Sequence, residues 1–137
     1  MMPVQTDFMV EIEDRPGIVA RIGAALGRAD VNIEGVCGLT SGRMGILHVL
    51  LDNDKVDAAR AALESNGVEI RTERDVWVAD CPDVPGELGR LMRRLADAEI
   101  NCDLVYVTTS GKVVIGAPEF ERAVQLLDRS NASAPPV

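Results

Sequence analysis

The chain repeats itself. Laid over itself without gaps at an offset of 69, residues 14–46 match residues 83–115 at 12 of 33 positions. The shared pairs are Asp14/Asp83, Pro16/Pro85, Gly17/Gly86, Arg21/Arg90, Leu26/Leu95, Ala29/Ala98, Asn32/Asn101, Val36/Val105, Thr40/Thr109, Ser41/Ser110, Gly42/Gly111 and Ile46/Ile115. Chance, at roughly one residue in twenty, supplies about two, so the match marks a duplication, and a repeat constrains architecture before any local pattern does. Further along the offset drops to 64, where Val56/Phe120, Ala59/Ala123 and Leu63/Leu127 align.

The first copy reads as strand, helix, strand, strand, helix, strand. "DFMVEIE" alternates Phe8, Val10 and Ile12 against Met9, Glu11 and Glu13, the pattern of a half-buried strand. Asp-x-Pro-Gly follows, then a helix whose apolar stripe, Val19, Ile22, Leu26 and Ala29, returns as Leu88, Leu91, Leu95 and Ala98. Both stripes are expected to be buried in full. A strand over 33–39, a tight turn at Gly42, a strand over 44–51, a helix over 54–66 closed by Gly67, and "VEIRTE" as a fourth strand complete the unit. The fold expected is α+β: two ferredoxin-like βαββαβ units sharing an antiparallel sheet with helices on one side. Unit 1 takes residues 1–74, unit 2 takes 75–131, and 132–137 form a disordered tail.

Copy two ends in "NASAPPV", without a β-branched run and with two prolines that cannot donate to a ladder. Its last strand is therefore expected to be missing or vestigial, leaving the strand near Trp77 as an open edge. The strand "MGILHVLL" is apolar on both faces, and one set of helices covers only one of them. Both features point to a homodimer or larger assembly.

Composition excludes several functions. A net charge of −8 and a pI near 4.6 repel a phosphate backbone, and four aromatic residues are too few for base-stacking platforms. No apolar run reaches the length of a membrane span, and the start lacks a signal-peptide pattern. Three irregularly spaced cysteines suggest reduced thiols, so a cytoplasmic location is expected. Cys37, Cys81 and Cys102 align with Tyr106, Ile12 and Ile33, which makes them small core residues rather than ligands. His48 is the only histidine, so no metal site and no cofactor is expected, and no nucleophile–base pair stands out. Arg21, Arg90, Arg93 and Arg94 read as solvated helix faces.

The two strand-to-helix corners are the candidate sites. A helix N-terminus presents unpaired N–H groups and the positive end of a dipole. Asp14 or Asp83 would cap it, Pro16 or Pro85 would fit its first turn, and Gly17 or Gly86 suggests close approach of a ligand or another backbone. Asn32 and Asn101 offer amides that both donate and accept, at the far end of the helix unless a neighbouring copy brings its own corner near.

These motifs, Asp-x-Pro-Gly, an amphipathic helix and Asn-Ile or Asn-Cys beyond it, resemble the ACT domain, in tandem, over residues 7 to about 130. The resemblance implies a non-catalytic regulatory module that binds a small amino acid between paired domains. It carries the site onto Asp14, Arg15, Pro16, Gly17, Ile18, Asn32 and Ile33, and onto Asp83, Val84, Pro85, Gly86, Asn101 and Cys102. Glu87 stands where copy one has Ile18 and would repel a ligand carboxylate, so copy one is favoured. Two alternatives stay open. One is a ligand-free pairing subunit of a larger biosynthetic enzyme. The other is a ferredoxin-like enzyme such as an acylphosphatase, disfavoured because no glycine-rich phosphate loop is present.

Overall fold

A six-stranded antiparallel sheet carries the molecule, in a computed structural model that describes residues 3–133, with side chains as far as residue 128. The elements run β1 (Val4–Glu13), α1 (Ile18–Arg28), β2 (Gly35–Ser41), β3 (Met44–Leu51), a 3-10 turn (Asn53–Lys55), α2 (Val56–Ser65) and β4 (Ile70–Ala79). Then come α3 (Glu87–Asp97), β5 (Leu104–Val107), β6 (Val113–Gly116) and α4 (Phe120–Ser133). The strand order β2-β3-β1-β4-β6-β5 gives the ferredoxin-like order to β1–β4. Helix α4 runs two residues into the segment expected as a tail, and 134–137 lie outside the described residues.

The strand near Trp77 is not an edge. One ten-residue strand, β4, serves as the last strand of unit 1 and the first of unit 2. Trp77 pairs with Ile115 on one side and with Val4 on the other. The start of β1 thus takes the place of the fourth strand that copy two lacks. The sequence pattern shows where a strand is missing from a repeat, but not which strand elsewhere pairs in its stead.

Two cores lie on the helix-covered face. Phe8, Val10, Ile22, Leu26, Leu47, Val49 and Leu63 form the first, and Trp77, Leu91, Leu95, Ile100, Ile115, Ala123 and Leu127 the second. Val4 packs on the second core and Ile70 on the first, so each central strand serves both units. The stripes are buried only in part: Ile22, Leu26, Leu91 and Leu95 are inside, but Val19 is 53% and Leu88 45% exposed. At about 100° per residue, Val19 stands about 60° around the helix from Ile22 but only about 20° from the buried Leu26. Its exposure goes with its place in the first turn of α1 rather than with its angle. Leu88 repeats that geometry beside Glu87.

The second face of the sheet is also covered, and by the chain itself. The sheet curls until its two outer strands meet at a Gly35–Thr108 bridge. The Thr109 N–H and hydroxyl both donate to the Glu34 carbonyl beside it, at 3.0 and 2.9 Å. Gly35 keeps this seam close, since a Cβ would stand 3.2 Å from the Tyr106 ring, tighter than side chains ordinarily pack, and 3.4 Å from Thr108 Cα. Leu50, Val76, Val78, Tyr106 and Val114 fill the enclosed side, with Cys37 and Leu104 packed against them. Strands lie about 4.8 Å apart, so three intervals in a flat sheet would keep β1 and β5 roughly 14 Å apart. The Tyr106 hydroxyl nevertheless donates to Asp7 Oδ1 at 2.6 Å. Curling closes that gap, and it supplies the cover expected from another chain.

Candidate functional site

The two corners have the same backbone. Gly17 lies at φ 89°, ψ −10° and Gly86 at φ 92°, ψ −12°, each immediately before its helix. Pro16-Gly17 and Pro85-Gly86 occupy the two central positions of a turn in which Pro supplies the first φ and only Gly readily takes the second. The Ile18 N–H points back to the Arg15 carbonyl at 3.5 Å, and the Glu87 N–H to the Val84 carbonyl at 3.3 Å. Pro16 therefore precedes the helix rather than opening it. Neither Asp14 nor Asp83 caps the helix through its side chain. A Cβ on Gly17 or Gly86 would meet no atom within 4 Å, so backbone conformation and not crowding within the chain selects glycine here.

What surrounds each turn differs. Corner one borders a cleft of about 250 Å³ lined by Glu11, Ile12, Glu13, Arg15, Ile18, Arg21 and the connection Asn66–Glu69. Arg21 Nη2 donates to the Asn66 carbonyl at 2.6 Å and ties the helix to that connection. Arg21 is thus more than a solvated helix face. Arg15 pairs with Glu13 at 3.2 Å, and Arg71 pairs with Glu11 on the strand floor. The cleft holds both signs of charge beside the unpaired N–H groups of the first turn of α1. Asp14 faces a separate groove of about 440 Å³ formed with Gly42, Arg43 and Met44.

Asn32 and Ile33 lie at the other end of α1 from Gly17. Ile33 packs on the first core, and the Asn32 amide donates to Glu34 Oε1 at 3.2 Å. This is the end at which unit 2 turns its corner: Glu34 meets Thr109, and Lys112 of the same hairpin pairs with Asp80 at 3.3 Å. Asp83, Val84, Pro85 and Gly86 are all exposed there, and Glu87 in the first turn of α3 lies 3.9 Å from Arg90. Asn101 is exposed at the far end of α3, while Cys102 packs on the second core and donates to the Leu104 carbonyl at 3.3 Å. Burial raises the Cys102 thiol above its ordinary pKa.

A polar group on the enclosed face had no signal in the repeat. Asp7 is wholly buried, and its carboxylate takes Tyr106 on one oxygen and His48 Nδ1 on the other, at 2.8 Å. Burial, with the Asp7 charge beside it, holds the Tyr106 phenol well above its ordinary pKa. Asp7 occupies an outward position in the strand pattern, where an acidic residue reads as solvated. Only the curl of the sheet places it inside.

Residues 6–68, within unit 1, match the family model of the ACT domain. No curated protein matches the chain. Among solved structures, a protein from Bacteroides thetaiotaomicron is similar at a TM-score of 0.80 and 22% identity, over 94% of this chain and 90% of its own. The ligand-free regulatory subunit of aspartate kinase from Thermus thermophilus gives 0.71 and 18%, over 98% and 95%. The corresponding subunit from Thermus flavus gives 0.64 and 18%, over 96% and 94%. These likenesses establish the fold. No helix among the described residues is long and apolar enough to cross a membrane.

Proposed function

We propose that this chain is a tandem ACT regulatory protein that binds a small amino acid at the corner of unit 1. The cleft beside Gly17 carries the reading, because it joins a helix N-terminus to side chains of both signs in a volume of about 250 Å³. The ligand carboxylate sits against the N–H groups of the first turn of α1, near Arg15 and Arg21. Its ammonium faces Glu13 and Glu69. Asp14, Pro16, Gly17 and Ile18 shape the turn, and Asn32 and Ile33 belong to the opposite end, with Asp83, Val84, Pro85 and Gly86. That end forms the weaker second site, and Asn101 with Cys102 lie beyond the other end of α3. The role is regulatory rather than catalytic. Its setting is the cytoplasm.

Occupancy at 100 times Kd adds about 2.7 kcal/mol to native stability, a rise of about 5–10 °C in melting temperature for a chain of this size. A thermal-shift panel of the twenty amino acids at millimolar concentration is expected to give one or two hits. Arg21→Gln should remove the shift while Arg90→Gln keeps it. No response to any amino acid overturns the reading.

A second reading rests on the similar solved structures, two of which are regulatory subunits of aspartate kinase. In it the chain pairs with a biosynthetic enzyme whether or not it binds ligand. Pairing with a second copy draws on Val36 and Leu39 of β2 and Val107 of β5, apolar side chains more than two-fifths exposed on outer strands. Light scattering of the purified chain separates a homodimer from a 14.7 kDa monomer.

A further inference from the structure

We propose that Cys37 is a site of covalent modification by a small uncharged electrophile of the hydroperoxide class. In this assignment His48 takes the thiol proton and Asp7 holds His48 in the form that can accept it. Cys37 and His48 are direct partners across β2 and β3. Side chains so paired share a face, with Cβ atoms about 5 Å apart, a gap that rotation of the Cys37 thiol spans. That face is the enclosed one. Cys37 packs on the cluster containing Tyr106, and the His48 and Tyr106 rings lie 6.2 Å apart.

Asp7 gives the imidazole its orientation. A wholly buried carboxylate accepts the Nδ1 hydrogen at 2.8 Å, which leaves the Nε2 lone pair as the basic site. Tyr106 occupies the other carboxylate oxygen at 2.6 Å, so Asp7 cannot turn away from the ring. Strand pairing thus brings a nucleophile, a base and a group that fixes the base to one face, from β2, β3 and β1. Cys37 is only partly buried, within reach of a small reagent. No other cysteine has such a neighbour, because His48 is the only histidine in the chain.

In the reaction the Cys37 proton passes to His48 and the thiolate sulfur attacks one peroxide oxygen. The S–O bond forms as the O–O bond breaks, and His48 returns the proton to the departing oxygen. Sulfur is oxidised to the sulfenic acid, and the peroxide is reduced to an alcohol or water. The new group stands beside Tyr106, at the seam where the two units meet.

Iodoacetamide tests the assignment, with Cys81 and Cys102 as controls inside the same molecule. Under limiting reagent at pH 7, peptide mass spectrometry is expected to show Cys37 alkylated at least tenfold faster than either. His48→Asn should bring Cys37 down to the rate of Cys81, with the far-ultraviolet circular dichroism unchanged. Tyr106→Phe removes a bond to Asp7 but keeps the His48 contact, and should keep Cys37 fast. Limiting hydrogen peroxide should then oxidise Cys37 first. The proposal is overturned if Cys37 reacts no faster than Cys81, if His48→Asn leaves it fast, or if Tyr106→Phe slows it as much as His48→Asn does. Peroxide that oxidises Cys81 or Cys102 ahead of Cys37 overturns it as well.

Discussion

Corner one and corner two are the same turn in different surroundings. Their glycines agree within 3° in φ and 2° in ψ, and corner one adjoins a cleft of about 250 Å³. The cleft exists because the α2–β4 connection, held by Arg21, folds over the corner. In unit 2 the matching stretch of chain is still within α4. The backbone instruction occurs twice. The site depends on what the rest of the chain places beside it.

The largest expected effect tests whether the two units are separate bodies at all. Leu26 and Leu95 are equivalent core residues, 0% and 1% exposed. Leu26→Ala and Leu95→Ala should each cost about 2–5 kcal/mol. Since β1 and β4 each serve both cores, either change should move a single urea transition, seen alike by Trp77 fluorescence and circular dichroism. Two separated transitions would show that the shared strands do not couple the units.

A smaller effect bears on the glycines. With φ near +90° at both positions, Gly17→Ala and Gly86→Ala should each cost about 1–2 kcal/mol, by nearly equal amounts. Denaturant melts of the two variants check this. A much larger loss at Gly17 would mean that its Cβ meets something beyond the chain's own atoms.

The smallest effect concerns the other ends of α1 and α3. Asp30 and Glu99, again 69 residues apart, hold φ of 58° and 57° where the helices close. The N–H groups of Val31 and Ile100 reach back to the Leu26 and Leu95 carbonyls at 2.9 Å. Glycine takes that conformation without strain, so Asp30→Gly and Glu99→Gly should each gain about 0.5–1 kcal/mol. A loss at either position would assign that side chain a task beyond closing the helix.

Much of the fold was legible because its signals are local and occur twice. The Pro-Gly turns, the pattern of β1, the hairpin at Gly42 and the Gly67 helix end follow from residues close in sequence. The exposure of Val19 and Leu88 was not legible in the stripe, since each stands only about 20° around the helix from a buried leucine and is exposed in the first turn. Of the candidate site, the turn at Arg15–Ile18 was readable. Arg21 and Glu69 were not, because α2 brings Asn66–Glu69 across from 45 residues away.

The sequence by itself determined the duplicated turns, the helix stripes and the order of elements, since each depends on backbone preferences and side-chain periodicity within a few residues. Tertiary structure alone decided that β1 completes unit 2 and that the outer strands meet at Gly35 and Thr108. It also decided that Asp7, His48, Tyr106 and Cys37 share one enclosed face. The physical reason is curvature: a period-two pattern says which side of a strand a residue takes, but not whether that side faces water or closes on itself.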